Sequence, residues 1–194
     1  MQELSPAALD ACRRGDRRAL DDVLTRHTPD LERLIVRMVG PRADVDDILQ
    51  TALMAVVSAF QRYRGEASLR TWMTRITVNV VRDYLRQPRH RRVVLQLVAG
   101  ENEAEDRDGP DLQAGNRRQL ERVYDHLATI APKKRLAFVL HVFEGFPIDE
   151  VAALTDSSQA ATKSRIFWAR RALLGKARKD PLLCELISGW EGER

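Results

Sequence analysis

Asp44-Val45-Asp46-Asp47-Ile48-Leu49-Gln50-Thr51-Ala52-Leu53-Met54-Ala55-Val56-Val57-Ser58-Ala59-Phe60, followed by Ser68-Leu69-Arg70-Thr71-Trp72-Met73-Thr74-Arg75-Ile76 and continuing through Asn79 to Asp83-Tyr84-Leu85-Arg86, decides the fold of this chain. In the first segment Val45, Ile48, Leu49, Ala52, Leu53, Val56, Val57 and Phe60 recur at helical spacing and form one broad apolar arc, which predicts a core-facing helix. At about 100° per residue, Asp47, Gln50, Met54 and Gln61 gather on the opposite side. A methionine beside a carboxylate and an amide is unusual for a merely solvated face.

Tyr63-Arg64-Gly65-Glu66-Ala67 breaks the pattern as a loop, and Ser68 is placed to cap a second helix running to about Arg86. Its expected core face is Leu69, Trp72, Met73, Ile76, Val80 and Tyr84. Arg75, Asn79, Arg82 and Arg86 follow one another at offsets of four, three and four residues, so one flank carries cations interrupted by an amide. Such a stripe can track a phosphate backbone while the amide reads a base edge. Taken alone, it reads first as a solvated basic face, which is what charge runs usually are.

Outward from this stretch the N-terminal part reads as helical, with segments expected at Pro6 to Cys12, Ala19 to His27 and Leu31 to Val39. After Pro88 the arginines prolong the basic surface, and Glu101 to Asp111, acidic and poor in apolar residues, reads as a flexible linker. Helical spacing returns with Leu120, Val123, Tyr124 and Leu127, then Leu136, Ala137, Val139, Leu140 and Phe143. Ile148 to Leu154, a turn at Thr155-Asp156-Ser157-Ser158 and a helix from Gln159 to about Lys176 have the layout of a helix-turn-helix. On the second helix Thr162, Ile166, Ala169 and Leu173 are expected to face inward, leaving Ala160, Lys163, Ser164, Phe167, Trp168 and Arg171 outside. Adjacent exposed aromatics among cations suit a major groove, where thymine methyls offer apolar contact; burial against another helix is the competing reading.

These motifs resemble the extracytoplasmic-function sigma factors of bacterial RNA polymerase. Asp46 to Gln50, Ser68 to Ile76 and Asn79 to Arg86 are similar to region 2 of that family, whereas Gly145-Phe146-Pro147-Ile148-Asp149-Glu150-Val151-Ala152 and Lys163 to Arg170 are similar to region 4. The resemblance implies an all-α chain of two small helical domains, a region 2 bundle and a region 4 helix-turn-helix, joined by a flexible linker. The expected boundaries are 1–92, linker 93–118, 119–178 and a tail 179–194.

It further implies that Asp47, Gln50 and Met54 dock on core polymerase through its beta and beta-prime subunits. Arg64 to Ser68 with Arg75, Asn79, Arg82 and Arg86 would meet the minus-10 element as it melts. Lys163, Ser164, Phe167, Trp168 and Arg171 would read the minus-35 element, with Arg165 supporting backbone contacts. The linker would thread polymerase channels, and an anti-sigma factor is an expected partner. Departures from the family pattern are Thr51 for Glu, Asp156 for the turn glycine, Ser157 for an aliphatic, Ala161-Thr162 for Thr-Val, and Trp168 for a basic or polar residue.

Composition fits this reading without carrying it. The 194 residues hold 32 Lys plus Arg against 28 Asp plus Glu, a net charge of +4, too small to identify a nucleic-acid binder by itself. Cys12 and Cys184 are far apart, and His27, His90, His126 and His141 are scattered, so no disulfide framework, metal site or cofactor is expected. Asp44, Asp46 and Asp47 lack the glycine-turned loop or His partner of a cation site. No phosphate-cradling glycine loop or nucleophile elbow is present, so an enzyme is not expected. No apolar run reaches the roughly 20 residues of a bilayer span and Met1 to Pro6 lacks signal-peptide form, giving a cytoplasmic expectation without membrane insertion. The alternatives are a stand-alone helix-turn-helix regulator and a sigma-like decoy for an anti-sigma factor. The tail from Asp180 through Trp190 reads as a short amphipathic addition.

Overall fold

The computed structural model describes residues 5–40, 44–87 and 124–177, and these are helical with connecting turns. The expected linker, the arginines after Pro88 and the C-terminal tail lie outside the described residues. The chain divides into two compact units, Met1–Val36 with Asp44–Gln87, and Arg37–Ala43 with Pro88–Arg194.

The first unit holds α1 at Pro6–Arg13, all but the last three residues of α2 at Arg17–Val39, α3 at Val45–Ala59 and α4 at Leu69–Arg86, with a 3-10 turn at Phe60–Arg62. Ser5 caps α1 by accepting from the Ala8 amide, with Pro6 in the first turn, where its missing N–H costs nothing. The Asp16 carboxylate accepts from the amides of Arg18 and Ala19 at 2.9 and 3.1 Å, starting α2. The two helices expected on either side of Pro29 are one, because α2 runs through that proline. Pro29 withdraws only one donor from the ladder, and the Thr28 hydroxyl bonds back to the Leu24 carbonyl at 2.8 Å in the preceding turn.

The core of this unit joins Cys12 of α1, Leu20, Val23 and Leu31 of α2, Val56 of α3, Phe60 and Tyr63 at the 3-10 turn, and Met73 of α4. An aromatic triad anchors it. Phe60 meets Trp72 edge-on at 5.4 Å and Tyr63 at 5.9 Å, while Tyr63 and Trp72 lie 4.8 Å apart. Cys12 is buried and unbridged, and burial, with the nearby Asp16 and Asp22 carboxylates, pushes its thiol pKa up. It behaves as a small apolar core residue.

In α4, Met73 and Tyr84 are buried as expected, but Leu69, Trp72, Ile76 and Val80 are only partly so. Thr74, Thr77, Val78 and Val81 take the remaining buried positions. Thr77 satisfies its hydroxyl on the Met73 carbonyl at 3.0 Å, which lets a polar residue occupy the core.

In the second unit a short helix at 124–128, α5, precedes α6 at Pro132–Phe138, a π-turn at Val139–Phe143, α7 at Ile148–Leu154 and α8 at Gln159–Ala177. Leu127, Leu136, Phe138, Leu140, Val151, Ile166, Ala169 and Leu173 are buried. Arg135 is also fully buried, donating to the Leu127 carbonyl at 3.3 Å, and burial pushes its pKa down to about 10. Lys176 ties the end of α8 to the Thr129 hydroxyl at 2.6 Å.

Candidate nucleic-acid and docking interfaces

One surface of α3 is an open groove. Its apolar lining comes from Leu24, Leu49, Leu53, Met54 and Val57, and its polar lining from Asp46, Gln50 and Ser58. Met54 is 64% exposed and Val57 39%, both large apolar side chains left to solvent. The arc predicted as core is therefore divided. Val45, Ile48, Ala52, Val56 and Phe60 are buried, whereas Leu49, Leu53 and Val57 turn toward the groove. A helix arc this wide exceeds what one neighbouring layer covers, so its flank stays open. Of the expected docking residues, Gln50 and Met54 line the groove, and Asp47 is exposed in the first turn of α3, outside its lining. Thr51 turns its hydroxyl back on the Asp47 carbonyl at 2.8 Å.

The loop between the 3-10 turn and α4 is pinned rather than loose. The Tyr63 hydroxyl donates to the Ala67 carbonyl at 2.7 Å, and Arg13 Nε donates to the Tyr63 carbonyl at 2.9 Å. Gly65 adopts φ 80°, a left-handed turn that a side chain would strain. Ser68 caps α4 as predicted, accepting from the Thr71 amide at 3.1 Å. Arg64 and Ser68 are exposed at this loop. On α4, Asn79 and Arg86 are exposed, Arg75 and Arg82 half-buried, and Arg86 pairs with Asp83 at 3.6 Å. Both partners of that pair are exposed, so it holds the cation only weakly.

Sequence reading missed Tyr63 and Arg13 as loop anchors. A single arginine 50 positions away leaves no periodic signal. Tyr63→Phe is expected to cost about 1 kcal/mol, the worth of one hydrogen bond, in urea unfolding of the protein. A change under about 0.3 kcal/mol would show that the bond does not hold the loop.

In the helix-turn-helix, Thr162, Ile166, Ala169 and Leu173 are buried, and Ala160, Lys163, Ser164, Phe167, Trp168 and Arg171 are exposed, both as predicted. Arg165 is half-buried. Asp156 adopts φ 51°, the left-handed conformation anticipated where glycine is usual, and the Ser158 hydroxyl caps α8 on the Ala161 amide at 3.2 Å. A hydroxyl chain links Thr155 to Ser157 at 2.9 Å and Ser157 to Thr162 at 2.8 Å. The polar residues at 157 and 162 thus satisfy one another in the turn.

Among the described residues no cluster of His, Cys, Asp and Glu could hold a metal ion, and no helix is long and apolar enough to cross a membrane. Residues 23–92 match the family described as Sigma-70 region 2, and residues 120–173 match Sigma-70, region 4. The chain belongs to the sigma-70 family. It is a sigma factor of the extracytoplasmic-function group, all-α in two helical regions, and not an enzyme.

This sigma factor is 27% identical over 180 residues to the RNA polymerase sigma-H factor of Pseudomonas aeruginosa, covering 89% of this chain and 93% of that protein. It is 28% identical over 182 residues to the ECF RNA polymerase sigma-E factor of Escherichia coli, covering 90% and 94%. A solved structure of CnrH in complex with the cytosolic domain of CnrY shares the fold, with a TM-score of 0.58 and 24% identity over 90% of this chain and 97% of that one.

Proposed function

We propose that this sigma factor directs core RNA polymerase to promoters carrying a minus-35 and a minus-10 element and helps melt the DNA between element and start site. The α3 groove, with Asp47, Gln50 and Met54, docks on the polymerase core, beta-prime and beta subunits included. The α8 face of Lys163, Ser164, Phe167, Trp168 and Arg171, supported by Arg165, binds the minus-35 duplex. Arg64, Ser68 and the loop between them, with Arg75, Asn79, Arg82 and Arg86, capture the opened minus-10 strand. Residues 1–92 then serve docking and melting, 93–118 the connection through the polymerase, and 119–178 upstream recognition.

One observation carries this reading. Two family segments in sigma order present, respectively, an uncovered apolar groove and an uncovered face of cations and aromatics. Phosphate attraction positions such a face on DNA, and base-edge contacts give selectivity. Control by an anti-sigma factor follows the family, and CnrH, of similar fold, was solved with the cytosolic domain of CnrY.

The test is to select duplexes from a random library with the full-length protein bound to core polymerase. Recovery of fragments sharing two elements at fixed spacing supports the reading, and recovery no different from core alone sinks it. On the selected duplex, Lys163→Ala should weaken binding about equally across related sequences and lower the slope of log affinity against log salt by about 1. An unchanged slope would remove Lys163 from the phosphate contacts.

A further inference from the structure

Trp168 stands where the family commonly has a basic or polar residue, and it is exposed yet contacted from two helices. The indole is 47% exposed. Phe167 meets it edge-on at 5.4 Å and 79°, Arg171 Cζ lies 5.5 Å from its ring centroid, and Lys134 Nζ lies 5.9 Å from it. Phe167 and Arg171 share α8 with it, so they turn with the helix. Lys134 comes from α6 and ties the ring to a second helix.

Two cations on one exposed indole repel each other, and among the described residues no carboxylate is found in an ion pair with Lys134, Arg171 or Lys163. Such an arrangement gains its counter-charge from a polyanion. A cation–π contact at an exposed site shifts a side-chain equilibrium by about two- to fivefold, enough to favour one ring orientation without burying it. A ring so held offers an apolar edge that can distinguish thymine from its demethylated counterpart, since the methyl is the apolar feature of the major groove.

We propose that Lys134 is a positioning residue for sequence reading: with Arg171 it holds the Trp168 indole against a thymine methyl of the upstream duplex. This rests on the promoter reading given above. Trp168 makes the contact, and Lys134 acts through it.

The experiment uses the full-length protein with core polymerase and the upstream duplex that the wild type selects, replacing each thymine in turn by deoxyuridine. Loss of one methyl should weaken wild-type binding roughly fourfold at one position, the worth of about one buried apolar carbon. Trp168→Ala should erase that discrimination, Lys134→Met should remove most of it, and Lys134→Arg should restore it. The double variant should be as indifferent to the methyl as Trp168→Ala alone and bind the duplex no more weakly than it, with thermal melts confirming that each variant is folded. Equal weakening of thymine and deoxyuridine duplexes by Lys134→Met, additive with Trp168→Ala, would make Lys134 a plain phosphate contact and overturn the proposal. A selective wild type indifferent to deoxyuridine everywhere would overturn it while leaving the promoter reading standing. A wild type that selects no duplex sinks both.

Discussion

Met54→Asp is expected to weaken core polymerase binding by about 30-fold or more, equivalent to roughly 2 kcal/mol, while leaving the protein folded. Among the described residues Met54 is the most exposed of the large apolar side chains, and it lines the α3 groove between Gln50 and Val57. An unbranched thioether adapts its shape to a partner at low cost, which suits a central anchor. Aspartate in the same place would lose that contact area and carry an unpaired charge into a desolvated interface. Because the side chain is largely solvated in the free protein, stability should move by no more than about 0.5 kcal/mol. Fluorescence anisotropy with labelled protein and purified core polymerase reads the effect, and binding within twofold of wild type would remove the groove from the docking surface.

Phe60→Ala is expected to cost about 3 to 5 kcal/mol, a large share of the roughly 5 to 15 kcal/mol that typically separates folded from unfolded domains. Phe60 is 1% exposed and packs edge-on against both Tyr63 and Trp72. Its removal leaves a cavity under the turn that links the docking helix to the loop ahead of α4. Both proposed surfaces of the first unit should therefore weaken together. Urea unfolding followed by tryptophan fluorescence gives the stability change, and a loss below about 1 kcal/mol would mean that the triad does not anchor this unit.

The two expectations differ in how far the sequence reveals them. The four inward and six outward residues named on α8 were legible, because one side packs on its domain and the other meets solvent, so a single period separates them. Asp156 in the left-handed region followed from the one conformational constraint that a turn of this kind imposes. On α3 the period identified the helix but not the groove. Leu49, Leu53 and Val57 have the same apolar letters as Val56 and Phe60, and only the extent of the neighbouring layer decides which are covered. Thr74 and Thr77 were hidden by their hydroxyls, since a polar letter reads as exposed unless its hydrogen bond is known. Arg135 was hidden among Lys133 and Lys134, although it is buried and they are exposed. Contacts between distant residues, such as Arg13 with Tyr63 or Lys134 with Trp168, leave no mark on local periodicity.

The central claim is that this chain gives core polymerase its choice of start site, and in vitro transcription tests it most directly. Purified core polymerase would transcribe fragmented genomic DNA from the source organism with and without the protein, and the 5′ ends of the new RNA would be sequenced. The account predicts defined start sites that appear only with the protein and share two upstream elements at fixed spacing. Start sites identical to those of core polymerase alone, from protein that binds core, would contradict it.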